Sequence, residues 1–235
     1  MMLTVLNPFY GSQSFPDPEK ALQEPNGLLA VGGCLSAKRL QNAYRHGIFP
    51  WFGENEPILW WSPDPRLILW PEHVRVSRSL GKRLKRGEFR FSFDTGFERV
   101  LDACARPRSP SAGTWITPEM KRAYVELHRL GLAHSFEAWK DDDLVGGLYG
   151  VAMGQVFFGE SMFHDATDAS KAAFVFGCRC LSGWNYALID CQVHTDHLAS
   201  LGAEEISRAE FLRLLKSYRD QPASEQAWQI QPPVT

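Results

Sequence analysis

The run from Ala133 to Phe163 constrains this chain more than any other. It reads "AHSFEAWK", "DDD", "LVGGLYGVAMG" and then "QVFFGESMF". That is a strand, an acidic turn, a second strand and a third. Strands joined by turns pair antiparallel, so a central antiparallel sheet is expected. Helices flank it. Gly96 to Ala105 places Phe97, Val100, Leu101 and Cys104 on one side. Thr117 caps a helix in which Pro118 takes the first turn and Glu119 suits the dipole, and Gly131 ends it. A further helix runs from about Ala169 to Leu181, and Ser207 with Glu210 opens the last as a capping box. The strand "YALIDCQV" lies between those two, while "LILW" and Phe89 to Phe93 are strands placed earlier. Strands mixed with helices in this way give an α+β fold with a mostly antiparallel sheet.

The first sixty residues differ in texture. They are rich in Gly, Pro and aromatics, with one clear helix capped by Ser36 and ended by Gly47. The prolines of "SPDP", Ser62 to Pro65, interrupt regular structure there. The expected division is a small N-terminal α/β domain, 1–62, and a larger domain, 63–235.

The totals exclude several classes. At 235 residues with a formal net charge of -2, no overall field draws the chain to nucleic acid. Such binding needs a local patch. Five scattered cysteines are poor material for a disulfide framework and fit a reducing cytosol. No apolar run is long enough to span a bilayer. A soluble, cytoplasmic protein is expected.

The densest polar stretch is "LIDCQVHTDH", Leu188 to His197. On a strand, Ile189, Cys191 and Val193 share one apolar face, and Asp190 with Gln192 share the other. That couple either sits on a sheet edge facing water or forms a polar site at the strand's end. Cys191 is expected to be buried and inert. A metal on Cys191, His194 and His197 is not expected, because Cys191 points inward and no second Cys or His pair stands at zinc spacing. In "FFGESMF", Glu160 sits among apolar residues, where its pKa is open to perturbation. A bulge at Gly159 would bring it to the side of Phe157. The glycines of "GGLYGVAMG" lack a P-loop ending and mark close approach of another backbone or a ligand. "RVSRSLGKRLKRGEFR", Arg75 to Arg90, is the one dense basic segment. It is either a solvated face or a contact for phosphates. The aromatics Trp51, Phe52, Trp60 and Trp61, with Trp115 and Tyr124, are either core or a stacking platform.

Taken in order, "EPNGLLAVGG", "GIFPWF", "ILWWSPDPR", "TWIT", "LVGGLYGVAMG", "FFGESMF", "ASK" and "LIDCQV" resemble the bacterial leucyl/phenylalanyl-tRNA–protein transferases. The resemblance runs from about Glu24 to Phe211. It implies an N-terminal domain followed by a GNAT-like acyltransferase domain, working without metal or other cofactor. It implies transfer of Leu or Phe, with Met a further candidate, from aminoacyl-tRNA to proteins with N-terminal Arg or Lys. Those proteins are thereby marked for N-degron proteolysis. A monomer without membrane attachment is expected.

Carried over residue by residue, the resemblance makes Asp190 and Gln192 a catalytic couple, with Glu160 a further functional acid. Gln192 would hold the acceptor amine by its side-chain carbonyl. Trp51, Trp115 and Tyr124 would surround the aminoacyl-adenosine, with aromatics stacked on adenine. Leu148 and Phe157, with Ser161 beside them, would form the pocket for the amino acid. Arg78, Lys82, Arg83, Lys85 and Arg86 would contact tRNA. Leu148, Gly177 and Thr195 depart from the family's Met, Phe and Asn, and the Gly177 departure would enlarge the pocket. Two alternatives stay open. One is a GNAT-like enzyme with an acyl-CoA donor, and the other is an RNA-binding protein without catalysis.

Overall fold

The computed structural model describes residues 3–107 and 114–229. In chain order they form β1 (Thr4–Leu6), β2 (Leu28–Gly32), α1 (Ala37–Arg45), β3 (Phe49–Pro50) and β4 (Leu59–Trp61). Next come β5 (Arg66–Leu69), α2 (Arg78–Lys85), β6 (Arg90–Phe93), α3 (Phe97–Cys104) and α4 (Pro118–Arg129). Then follow β7 (Ala133–Lys140), β8 (Asp143–Met153), β9 (Val156–His164) and α5 (Ala169–Gly183). The last are β10 (Leu188–Gln192), α6 (Asp196–Ser200), β11 (Glu204–Ile206) and α7 (Arg208–Tyr218).

Local chemistry explains the helix starts. Ser36, Ser77, Thr117 and Ser207 each accept a hydrogen bond from the backbone N–H three residues on. The Glu210 carboxylate, expected to complete the capping box, instead meets Arg213 through both oxygens, at 2.9 and 2.6 Å.

Two sheets result. The first, in the order β1-β2-β4-β3, uses only strands that precede Ser62. The second, in the order β11-β5-β10-β9-β8-β7-β6, uses only strands from Arg66 onward. Its sole parallel pair is β9 with β10. The fold is thus α+β with a mostly antiparallel sheet. Alternation sorts the large sheet's side chains onto two cores. Leu67, Leu69, Phe136, Leu148, Phe157 and Ile189 pack on the α5 side. Ile68, Tyr149, Val151, Phe158 and Leu188 pack on the other, and that core runs on into Leu40, Tyr44 and Trp60 of the N-terminal part. The last helix ties the joint. The Arg208 guanidinium donates to the carbonyl of Ser62 at 2.8 Å, and its backbone N–H donates to Asp64 at 3.0 Å.

The glycines of β8 permit close approach. A Cβ on Gly146 would lie 2.6 Å from the backbone of Ala169. The start of α5 therefore rests directly on the strand.

Candidate active site

β9 and β10 run side by side, with Ile189 opposite Phe157 and Asp190 opposite Phe158. Each strand breaks its regular pairing at one point. On β9, Ser161 pairs with Tyr149 and Gly159 with Gly150, which leaves Glu160 as the bulged residue. The bulge expected from the glycine turns Glu160 toward the cavity that Phe157 also lines. On β10 the register slips between Asp190 and Gln192, and Gln192 has a φ of 65°. This is the left-handed region, costly for a residue with a side chain.

The water-facing edge is not where Asp190 and Gln192 lie. β10 is an internal strand between β5 and β9, and Asp190 is fully buried. Arg66, also fully buried, donates from Nε to Asp190 Oδ1 at 2.8 Å and from Nη2 to Oδ2 at 2.6 Å. Its guanidinium lies against the rings of Phe49 and Phe211, at 4.8 and 4.5 Å. Asp190 Oδ1 also accepts the Gln192 backbone N–H at 2.9 Å. Asp190 therefore fixes the strained turn at Gln192 and is not presented to solvent. Val193 departs from its expected core position. The slip at Gln192 ends the alternation, and Val193 is exposed.

The Gln192 side chain crosses to β9. Its Nε2 donates to Glu160 Oε1 at 3.0 Å. Since the nitrogen is committed, the carbonyl oxygen is the end left to accept a proton donor. Glu160 also accepts from the hydroxyls of Tyr44, at 2.8 Å, and Tyr124, at 2.7 Å. Those two hydroxyls meet each other at 2.5 Å. Burial pushes the Glu160 carboxyl up from 4.5 to about 7, opposed by the two tyrosine hydroxyls. A raised folded pKa means the folded state holds a proton that the unfolded chain has lost. That contribution is full below about pH 4.5 and is lost as pH rises through about 7. Urea midpoints are therefore expected to fall for the wild type relative to Glu160→Gln between pH 5 and pH 8. A constant gap between the two proteins would contradict this.

A cavity of about 990 Å³ opens beside the pair, with Glu160 and Gln192 in its wall. Leu148 and Phe157 line its apolar end, and half-buried Ser161 lines it too. Gly177 also lines the cavity. A Cβ there would meet the Phe136 ring at 2.8 Å, so Phe136 fills the space. Thr195 lines the cavity and caps α6, accepting from the Leu198 N–H at 3.2 Å.

The aromatics divide. Trp51 and Trp115 line the cavity, and Trp51 is 48% exposed, edge-on to Trp61. Trp60 and Phe52 are core. Tyr124 is fully buried and offers no face for a base to stack on. Its place near the site is through its hydroxyl on Glu160.

The basic residues lie on α2, which packs by Leu80 into the α5-side core. Arg78, Lys82, Lys85 and Arg86 are at the surface. Arg83 is instead drawn into ion pairs with Glu88 at 2.9 Å and Asp168 at 3.2 Å. Cys191 is buried, and burial pushes its thiol well up. His194 faces Asp196 and Glu205, both 3.6 Å away. Among the described residues, the one group spaced to share a metal is Asp94, His128 and His134, toward the β6–β7 end of the large sheet. Both ring nitrogens of His134 are already engaged there, with Asp94 at 2.6 Å and the Gly131 carbonyl at 3.1 Å.

Two partners were not legible in the sequence: Arg66 and Tyr44. A lone arginine opening the apolar run "RLILW" was the available sign of the first. Tyr44 stands in the helix that Ser36 caps, and nothing near it in the chain points to Glu160.

Comparison with known proteins identifies the family. The model of the leucyl/phenylalanyl-tRNA protein transferase family matches residues 68–216, and that of its N-terminal domain matches residues 33–64. A leucyl/phenylalanyl-tRNA–protein transferase from Methylococcus capsulatus is 59% identical over 98% of this chain and 98% of its own. One from Pseudomonas syringae is 58% identical over 94% of this chain and 96% of its own. A solved GCN5-related N-acetyltransferase from Kribbella flavida is similar at a TM-score of 0.37 and 11% identity, over 70% of this chain and 58% of that one. Matched to these relatives over nearly its full length, the chain belongs to the leucyl/phenylalanyl-tRNA protein transferase family and is an aminoacyltransferase.

Proposed function

We propose that this chain moves Leu or Phe from aminoacyl-tRNA to the α-amino group of proteins whose first residue is Arg or Lys. The modified proteins are thereby marked for N-degron proteolysis. The observation that carries the reading is the Gln192 amide, held by Glu160 so that its carbonyl oxygen stays available in the wall of a cavity with an apolar end. That oxygen accepts an N–H of the neutral acceptor amine and aims its lone pair at the ester carbonyl. Attack gives a tetrahedral intermediate with an oxyanion. Collapse forms the peptide bond and expels the ribose oxygen, which takes the proton the amine loses. The ester is already activated, so no other energy source is needed. Leu148 and Phe157 receive the apolar side chain, while Trp51 and Trp115 receive the terminal adenosine. Residues 1–62 and 63–235 act as the smaller and larger domains. The reaction takes place in the cytoplasm, on a monomer.

Donor class is tested directly. Leu-tRNA is expected to give peptide product, and acetyl-CoA is expected to give none. Acetylation of the peptide with no leucylation would favour the acyl-CoA reading.

The surface cations of α2 suit the tRNA backbone. Each phosphate they neutralise adds to affinity through counterion release. Replacing Lys82 and Lys85 with Gln is expected to weaken tRNA binding and to flatten its logarithmic salt slope by roughly 0.7–0.9 for each phosphate no longer neutralised. Arg83→Gln, already paired with acids, is expected to change the slope less. Filter binding over a salt series checks both. Equal slopes for all variants would place the tRNA elsewhere.

A further inference from the structure

Carboxylates are scarce in the cavity. Among its described lining residues only Glu160 and Asp165 carry one. The Glu160 carboxylate is already met by Tyr44, Tyr124 and Gln192. Asp165 follows directly on β9, where its backbone N–H donates to the Val145 carbonyl at 2.7 Å. It faces Arg106, whose Nη2 donates to Asp165 Oδ1 at 2.9 Å and to Oδ2 at 2.8 Å. The same guanidinium lies 5.4 Å from the centre of the Phe163 ring. Arg106 is the sole Arg or Lys lining the cavity among the described residues. The two side chains are 53% and 46% exposed. An ion pair so open to water is weak and exchanges readily.

A carboxylate beside an aromatic face is the chemistry that recognises a guanidinium or an ammonium group. The chain's own arginine already shows such a group in place. We propose that Asp165 and Phe163 form the subsite for the basic side chain of the acceptor's first residue, with Arg106 holding the place until an acceptor displaces it. This rests on the acceptor class given under the proposed function. Glu160, whose oxygens already meet Tyr44, Tyr124 and Gln192, is not the carboxylate that takes the basic side chain. Along the strand, Glu160 and Asp165 are roughly 15 Å apart between α-carbons. The two acidic side chains and one extended arginine side chain together cover that span. A neutral first residue offers nothing to replace Arg106 on the carboxylate and is disfavoured.

The test compares two peptides, identical but for a first residue of Arg or of citrulline, its uncharged near-isostere. Leu-tRNA is the donor, and kcat and KM are read for both substrates. Wild type is expected to favour Arg over citrulline by roughly tenfold in kcat/KM. Asp165→Asn is expected to bring that ratio near one through the peptide KM, with the KM for Leu-tRNA unmoved. Arg106→Gln vacates the subsite and is expected to lower the KM for the Arg peptide several-fold. An Arg-to-citrulline ratio in Asp165→Asn equal to the wild type's overturns the proposal. So does a rise in the KM for Leu-tRNA in Arg106→Gln, which would put Arg106 on the tRNA. If Asp165→Asn does not fold, Arg106→Gln decides alone, an unchanged peptide KM counting against the subsite. Wild type that leucylates neither peptide removes the acceptor reading itself, and the subsite with it.

Discussion

Asp190→Ala is expected to destabilise the protein by about 3–5 kcal/mol. The reason is Arg66. Both members of the pair are fully buried, and Asp190 supplies both oxygens that the guanidinium's Nε and Nη2 reach. Removing the carboxylate leaves an unpaired cation in a core walled by Phe49 and Phe211. The effect shows as a lower urea midpoint at unchanged slope. Loss of transfer in this variant therefore does not establish a chemical role for Asp190. Replacing the whole pair separates the two effects. Arg66→Met with Asp190→Leu is expected to regain most of the stability, since removing both charges also removes their desolvation cost. Transfer is expected to stay low, because the Gln192 N–H is deprived of the acceptor that shapes its turn. Recovery of transfer in the double variant would show that the pair serves folding alone.

Gln192→Gly is expected to lower kcat about 10²–10³-fold, the scale of removing one well-placed polar group at a reacting centre. Stability is expected to move the other way or not at all. Gln192 holds a φ of 65°, a conformation that glycine adopts without strain. The backbone N–H that bonds Asp190 is retained, so the buried pair is untouched. Activity that falls while the melting temperature holds or rises marks a side chain kept for function. Activity within a few-fold of wild type would remove Gln192 from the mechanism.

Much of this architecture was legible in the sequence. Ser36, Thr117 and Ser207 located helix starts because capping is local chemistry. The run from Ala133 to Phe163 became β7, β8 and β9 because alternation and turns are local too. Gly159 gave warning of the bulge at Glu160. What failed was whatever depends on distant partners. Arg66 meets Asp190 across 124 residues, and Tyr44 meets Glu160 across 116. No periodicity reports such a pairing. Val193 was misplaced because alternation holds only while the strand is regular, and the slip at Gln192 ends it. Tyr124 was read as a stacking surface, although its ring is buried and only its hydroxyl reaches the site. At Gly177 the sequence does not show that the Phe136 ring stands within 2.8 Å of where a Cβ would be.

The most direct test of the central claim is transfer of labelled leucine from Leu-tRNA to a peptide beginning with Arg, beside one identical except for an initial Asp. Label on the Arg peptide alone is the expected result, fixing donor and acceptor class together. Folded protein that binds tRNA yet labels neither peptide, from Leu-tRNA or from Phe-tRNA, would contradict it.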